Sequence, residues 1–149
     1  MDVVNNRRVS KDTTRRDFAK SMKEIEFCTI VNQTKGKLPS LPFVSMKNKV
    51  LGKKYELEVA FLSPKKQKEI NLKYRNLNKT TNILSFPFDT TSGQITFDLV
   101  KVKKESPLFN MSYPNFLKYL FIHGLLHLKG YDHSAIMERQ EKKYLKIFS

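Results

Sequence analysis

Residues 112–130, SYPNFLKYLFIHGLLHLKG, constrain the fold more than any other part of this chain. Ser112 can cap a helix by accepting from a first-turn amide, and Gly130 can take the left-handed conformation that ends one. Between them, residues 116–128 are apolar nearly all round. A helix with one apolar stripe can lie on a surface, but one that is apolar on every side has to be surrounded. The pattern therefore predicts a buried central helix over 112–128, and the remaining chain must supply its cover. Lys118 interrupts the run, which is too short to span a bilayer, so lipid is not that cover.

The cover reads as a sheet and shorter helices. Residues 25–31 are rich in β-branched and aromatic side chains and predict a strand. Pro42 opens a helical segment that Gly52 ends. Tyr55, Leu57, Val59 and Phe61 alternate with Glu56, Glu58 and Ala60, the pattern of a half-buried strand. Ser63-Pro64 caps and starts a helix whose Ile70, Tyr74 and Leu77 share a face. Residues 81–88, TNILSFPF, read as a strand with Pro87 at or near an edge, because proline cannot donate to a ladder. Thr90 to Gly93 turn the chain, and Ile95, Phe97 and Leu99 form the inward side of the next strand. Residues 137–148 predict a final amphipathic helix. In this order, without repeats, the elements make an α+β domain of three-layer, α/β-like character. A small, mostly β-sheet core packs on a central helix that carries the metal-binding histidines.

At 149 residues the chain suffices for one domain with a real core. Its formal charge is +14, from 28 Lys and Arg against 14 Asp and Glu, which favours a polyanionic partner, nucleic acid before membrane. Residues 1–21 hold six bases and three acids with no apolar periodicity, and read as a basic, flexible extension before a single domain over 22–149. That domain keeps +11 of the charge, so the extension does not account for it. The N-terminal stretch lacks the apolar core of a secretory signal. The one cysteine, Cys28, lies among apolar neighbours and predicts a buried structural thiol with no disulfide-linked partner. A cytoplasmic setting is expected.

All three histidines fall in eleven residues, HGLLHLKGYDH, from His123 to His133. On a helix His123 and His127 project from one face one turn apart. Gly130 lets the chain double back, and Tyr131-Asp132 carries His133 toward the same point. Three imidazoles with a fourth position open describe a catalytic zinc site, with Asp132 or a backbone carbonyl steadying a ring N–H. One Zn2+ per chain is expected. The spacing also matches H-E-x-x-H-x-x-G-x-x-H of the metzincin proteases, but Gly124 stands where those enzymes carry their general-base glutamate. Without it, the group that would take a proton from the zinc-activated water is missing.

The histidine window resembles the H-G-x-L-H-L-x-G-Y-D-H signature of the YbeY endoribonucleases, the bacterial rRNA maturation factors. Two other stretches are similar to that family: INLKYRNLNKTTNILSFP at residues 70–87 and IMERQEKKYL at 136–145. The resemblance runs from residue 25 to the end. It departs at Gly93-Gln94-Ile95, where the family commonly has Gly-Asp-Ile, and so puts in doubt any role that aspartate carries. The resemblance implies a zinc-dependent endoribonuclease specific for single-stranded RNA, acting in ribosomal RNA 3′ end maturation and ribosome quality control. It further implies zinc at His123, His127 and His133, a functional, catalytic arginine at Arg75, and the small ribosomal subunit as partner. The planar fork of Arg75 suits phosphate oxygens that gain charge in the transition state. Lys79 and Lys73, with the lysines at 65, 66 and 68, could contact the RNA backbone. Two rivals stand beside this reading: a zinc hydrolase of another class, such as a peptidase lacking its base, and a non-catalytic RNA- or ribosome-binding protein with a structural metal.

Overall fold

The computed structural model describes residues 2–3 and 27–149. Its strands are β1 (Asp2–Val3), β2 (Cys28–Asn32), β3 (Glu56–Leu62), β4 (Ile83–Asp89) and β5 (Ser92–Asp98). Its helices are α1 (Phe43–Leu51), α2 (Pro64–Arg75), α3 (Leu99–Glu105), α4 (Tyr113–Lys129) and α5 (Ala135–Ile147), with a 3-10 turn at Ser106–Phe109. The strands form one sheet in the order β1-β4-β5-β3-β2. Parallel neighbours need a crossover, and α1 supplies it between β2 and β3. β4 and β5 run antiparallel because only Thr90-Thr91 separates them. Asp89 holds that turn, its Oδ1 accepting from the Thr91 amide at 2.8 Å and the Ser92 hydroxyl at 2.8 Å.

Side-chain alternation divides the sheet between two helical layers. Leu84 and Phe86 of β4 face α2 and meet Ile70 and Tyr74. Val59, Phe61, Ile95 and Phe97 face the other way, toward Phe121 and Leu125 of α4. α1 and α5 pack against α4 and close its remaining sides. Phe43 of α1, for one, meets Phe121 edge to face at 5.1 Å between ring centres. Each fully buried Leu or Phe of this cluster stabilises the fold by about 1.5–3 kcal/mol. The three-layer α+β arrangement around a central helix is the one that the sequence predicts.

Several local expectations need correction. Residues 25–26 of the first predicted strand lie outside the described residues, and β2 itself runs to Asn32. β3 is buried on both faces rather than one, because helices cover both sides of the sheet. Its Glu58 is reconciled with that position by Gln94, whose Nε2 donates to Glu58 Oε1 at 2.6 Å. α2 ends at Arg75, where Asn76 turns left-handed at φ 55°, so Leu77 is not on its face; Gln67 and Asn71 are its fully buried residues. The turn before β5 is shorter than expected, and Gly93 sits within the strand. Leu99 opens α3 instead of ending β5, because the Asp98 side chain accepts from the Lys101 amide and caps a helix there. Of the extension at 1–21, only Asp2–Val3 is described, pairing in parallel with Leu84 and Ser85 of β4. Pro87 lies beyond that short pairing, beside a register shift in β4, as an edge proline should.

Candidate metal centre

The centre is built at the C-terminal end of α4. Ser112 caps the helix by accepting from the Asn115 amide, and Gly130 ends it at φ 112°. The Gly130 amide donates to the His127 carbonyl and the Tyr131 amide to the Leu126 carbonyl, at 3.0 Å each. These two bonds make a Schellman turn, which reverses the chain and returns residues 131–133 to the helix. His133 thereby joins His123 and His127, with ring centres 5.1 and 4.7 Å away. One ligand nitrogen from each of the three lies within 4.8 Å of the others. His123 and His127 are buried, and His133 is exposed.

The outer nitrogens of the two buried rings are engaged. His123 Nδ1 lies 2.7 Å from Glu141 Oε2 of α5, and His127 Nδ1 lies 3.0 Å from the Tyr131 carbonyl. A carboxylate and a carbonyl only accept, so the proton of each neutral ring sits on Nδ1 and the lone pair on Nε2. The two Nε2 atoms face each other at 2.8 Å. Two inward lone pairs at that distance repel unless a cation lies between them. Burial lowers the pKa of both rings, and with His123 beside it His127 falls to about 4. Neutral imidazoles with inward lone pairs, fixed outer N–H groups and one solvent-facing member fit a divalent cation with an open position. The three histidines could therefore hold a metal ion. Tyr131 fills the backbone-carbonyl role that the sequence suggested, and Glu141 takes the place offered to Asp132. Its sequence signal was available: Glu141 lies between Met137 and Tyr144 at helical spacing, a carboxylate on an otherwise apolar stripe.

Gly124 has a structural cause. A Cβ there would stand 2.9 Å from Ile83 Cδ1, 3.0 Å from Ser85 Oγ and 3.1 Å from Ile95 Cδ1. The helix approaches β4 and β5 through that absent side chain, so a protease-like glutamate has no room. Beside the centre, a depression of about 530 Å³ opens between the end of β4 and the end of α4, lined among others by Pro87, Thr90, His127 and Lys129.

The remaining predicted residues lie elsewhere. Arg75 and Lys79 share a second depression, about 420 Å³, with Thr80, Lys101 and Phe109. Arg75 Nη1 donates to Asn71 Oδ1 at 3.1 Å, and Asn71 Nδ2 donates to the Lys79 carbonyl at 2.8 Å, which ties the loop to the helix. Lys73 lines a third, with Tyr74, Phe86 and Gln94. Gln94 thus faces α2, on the side of the sheet away from the three histidines. Among the described residues no helix is long and apolar enough to cross a membrane.

A family model described as Endoribonuclease YbeY matches residues 17–149. An Endoribonuclease YbeY of Mycoplasmopsis synoviae is 34% identical over 105 residues, covering 64% of this chain and 68% of that one. One from Clostridium botulinum, strain Hall, is 30% identical over 148 residues, covering 78% of this chain and 89% of its own. A solution structure from Thermotoga maritima superposes with a TM-score of 0.58 at 25% identity, over 80% of this chain and 87% of that chain. With its three histidines gathered as their spacing predicts and the family model matching nearly its whole length, the chain belongs to the YbeY endoribonuclease family.

Proposed function

We propose that this chain is a zinc-dependent endoribonuclease that cuts single-stranded RNA in the cytoplasm. Its place would be ribosomal RNA 3′ end maturation and ribosome quality control, on or near the small ribosomal subunit. Family membership supports an RNA-cleaving hydrolase. The observation that carries the metal dependence is the inward-facing Nε2 pair of His123 and His127, 2.8 Å apart, with His133 beside it.

In this reading His123, His127 and His133 hold the ion. Once bound, it supplies Lewis acidity to the scissile phosphodiester and lowers the pKa of attacking water. The protein's own groups do the rest. Arg75 lies in a depression that none of the three histidines lines, so its fork meets phosphate oxygens of the same RNA strand, and its catalytic role requires that strand to run from there to the centre. Asn71 Oδ1 accepts from that guanidinium and orients it. Lys79, in the same depression, holds the sugar–phosphate backbone as a point charge whose contribution salt weakens, and Lys73 offers the same kind of contact from a separate depression against α2. Gly124 argues against the peptidase rival, because the position that would bear the general base is packed against the sheet. The exposure of His133 argues against a closed structural metal. The test is metal content and RNA cleavage of the purified protein with and without chelator, beside His127→Ala. Zinc-bound protein that cuts RNA only with its metal supports the reading. Metal-loaded protein that leaves single-stranded RNA intact overturns it.

A further inference from the structure

Glu141 is a carboxylate in hydrogen-bond contact with one of the three histidines, and it comes from a different helix. It is buried to 5% exposure and accepts from His123, which is buried to 4%. A second group converges on it. Tyr119, one turn before His123 on α4 with ring centres 6.1 Å apart, lies beside the same carboxylate, and burial next to that charge pushes its hydroxyl up to about 12. His123 Nδ1 and Glu141 Oε2 thus form a buried pair 2.7 Å apart. We infer that Glu141 is the positioning residue of this centre: it fixes His123 as the Nδ1–H tautomer and offsets the charge of the bound cation. The inference rests on the metal reading above.

The energetics favour this over a merely structural pair. Burying a carboxylate costs several kcal/mol, and an apolar residue of similar size is often as stable or more so. Met137 and Tyr144 show that the surrounding stripe of α5 packs apolar groups against the core without difficulty. A carboxylate retained there needs a cation to justify it, and a neutral imidazole is not one. A divalent ion on three neutral histidines brings two positive charges into a mostly buried site. One carboxylate behind the most enclosed ligand halves that excess and raises the basicity of its Nε2. His127 has only a carbonyl behind it. His123 should therefore be the ligand whose support matters most.

The experiment uses the full chain, Zn2+ alone and a chromophoric competing chelator, with Glu141→Gln, Glu141→Leu and Tyr119→Phe beside the wild type. Glutamine keeps the shape and an acceptor and removes the charge; leucine removes both. Zinc affinity should fall about tenfold to a hundredfold in Glu141→Gln, further in Glu141→Leu, and least in Tyr119→Phe. The melting temperature of metal-free Glu141→Gln should stay close to wild type. Independently of any metal, nitrogen-15 NMR of the metal-free wild type should find His123 protonated on Nδ1. Wild-type affinity in Glu141→Gln, or a His123 protonated on Nε2 in the wild type, would overturn the inference, even if Glu141→Leu fails to fold. Failure of the wild type itself to take up zinc would instead bring down the metal reading on which this one stands.

Discussion

Gly124 of α4 and Ile83 of β4 approach so closely that a Cβ on the glycine would stand 2.9 Å from Ile83 Cδ1. The contact sets how near the histidine-bearing helix lies to the sheet, and it separates this chain from proteases with the same ligand spacing. Gly124→Ala gains helix propensity but must displace Ile83, Ser85 and Ile95 together. It should destabilise the protein by about 1–3 kcal/mol while leaving zinc bound. Gly124→Glu adds a buried, unpaired carboxylate to the same clash, and should cost about 3–5 kcal/mol or more. No peptidase activity should emerge from it. Melting curves, zinc content and a casein assay check these outcomes, and peptide cleavage by a folded, zinc-bound Gly124→Glu protein would restore the protease rival.

The three ligands should separate by burial. His133 is exposed and touches the core little, so His133→Ala should weaken zinc binding and abolish most RNA cleavage with the metal-free melting temperature unchanged. His123 is enclosed and bonded to Glu141, so His123→Ala should lose both zinc and stability, the latter by about 2 kcal/mol or more through a cavity and an orphaned carboxylate. Zinc at a thousand times its dissociation constant should stabilise the wild type by about 4 kcal/mol, and neither variant to that extent. Thermal shifts with and without zinc read all of this, and equal behaviour of the two variants would contradict the burial argument.

Arg75→Ala and Arg75→Lys should separate geometry from charge. If the guanidinium grips phosphate through two parallel hydrogen bonds, lysine should recover only part of the lost RNA cleavage, with zinc content at the wild-type level. Arg75 also bonds Asn71, which anchors the Lys79 carbonyl, so part of the alanine loss could come through the loop. Lys79→Ala tests that route, because it removes a charge and leaves the backbone anchor in place. Full recovery in Arg75→Lys would show that a point charge is enough, and no loss in either variant would remove Arg75 from the substrate site.

What the sequence made legible follows from the range of each signal. α4, its caps and the meeting of His123 with His127 are local: helical periodicity and one glycine define them within twenty residues. The return of His133 to the other two histidines was legible because Gly130 is the kind of residue a Schellman turn requires. Glu141 showed in the sequence only as a lone carboxylate on the apolar stripe of α5, because its partner depends on α5 crossing α4, a tertiary fact that no spacing states. The two-sided burial of β3 was missed for the same reason, since alternation tells of a strand's own faces and not of helices that later cover both. α3 was missed because LVKVKKE has too few residues to show a period, and only the Asp98 cap betrays it.

A chain starting at Met22 should bind zinc as the full-length protein does and melt within a few degrees of it. Residues 1–21 carry six bases and no apolar period that a core could bury, and the described pairing of Asp2–Val3 with β4 spans only two residues. The family match begins at residue 17, so this truncation removes five matched positions and is a demanding version of the test. The basic residues can still act at a distance. Removing them should weaken RNA binding and flatten its dependence on salt, because fewer counterions are released on association. Melting curves and RNA titrations at two salt concentrations measure the two effects separately. A large fall in melting temperature would show instead that the extension docks on the domain and belongs to its fold.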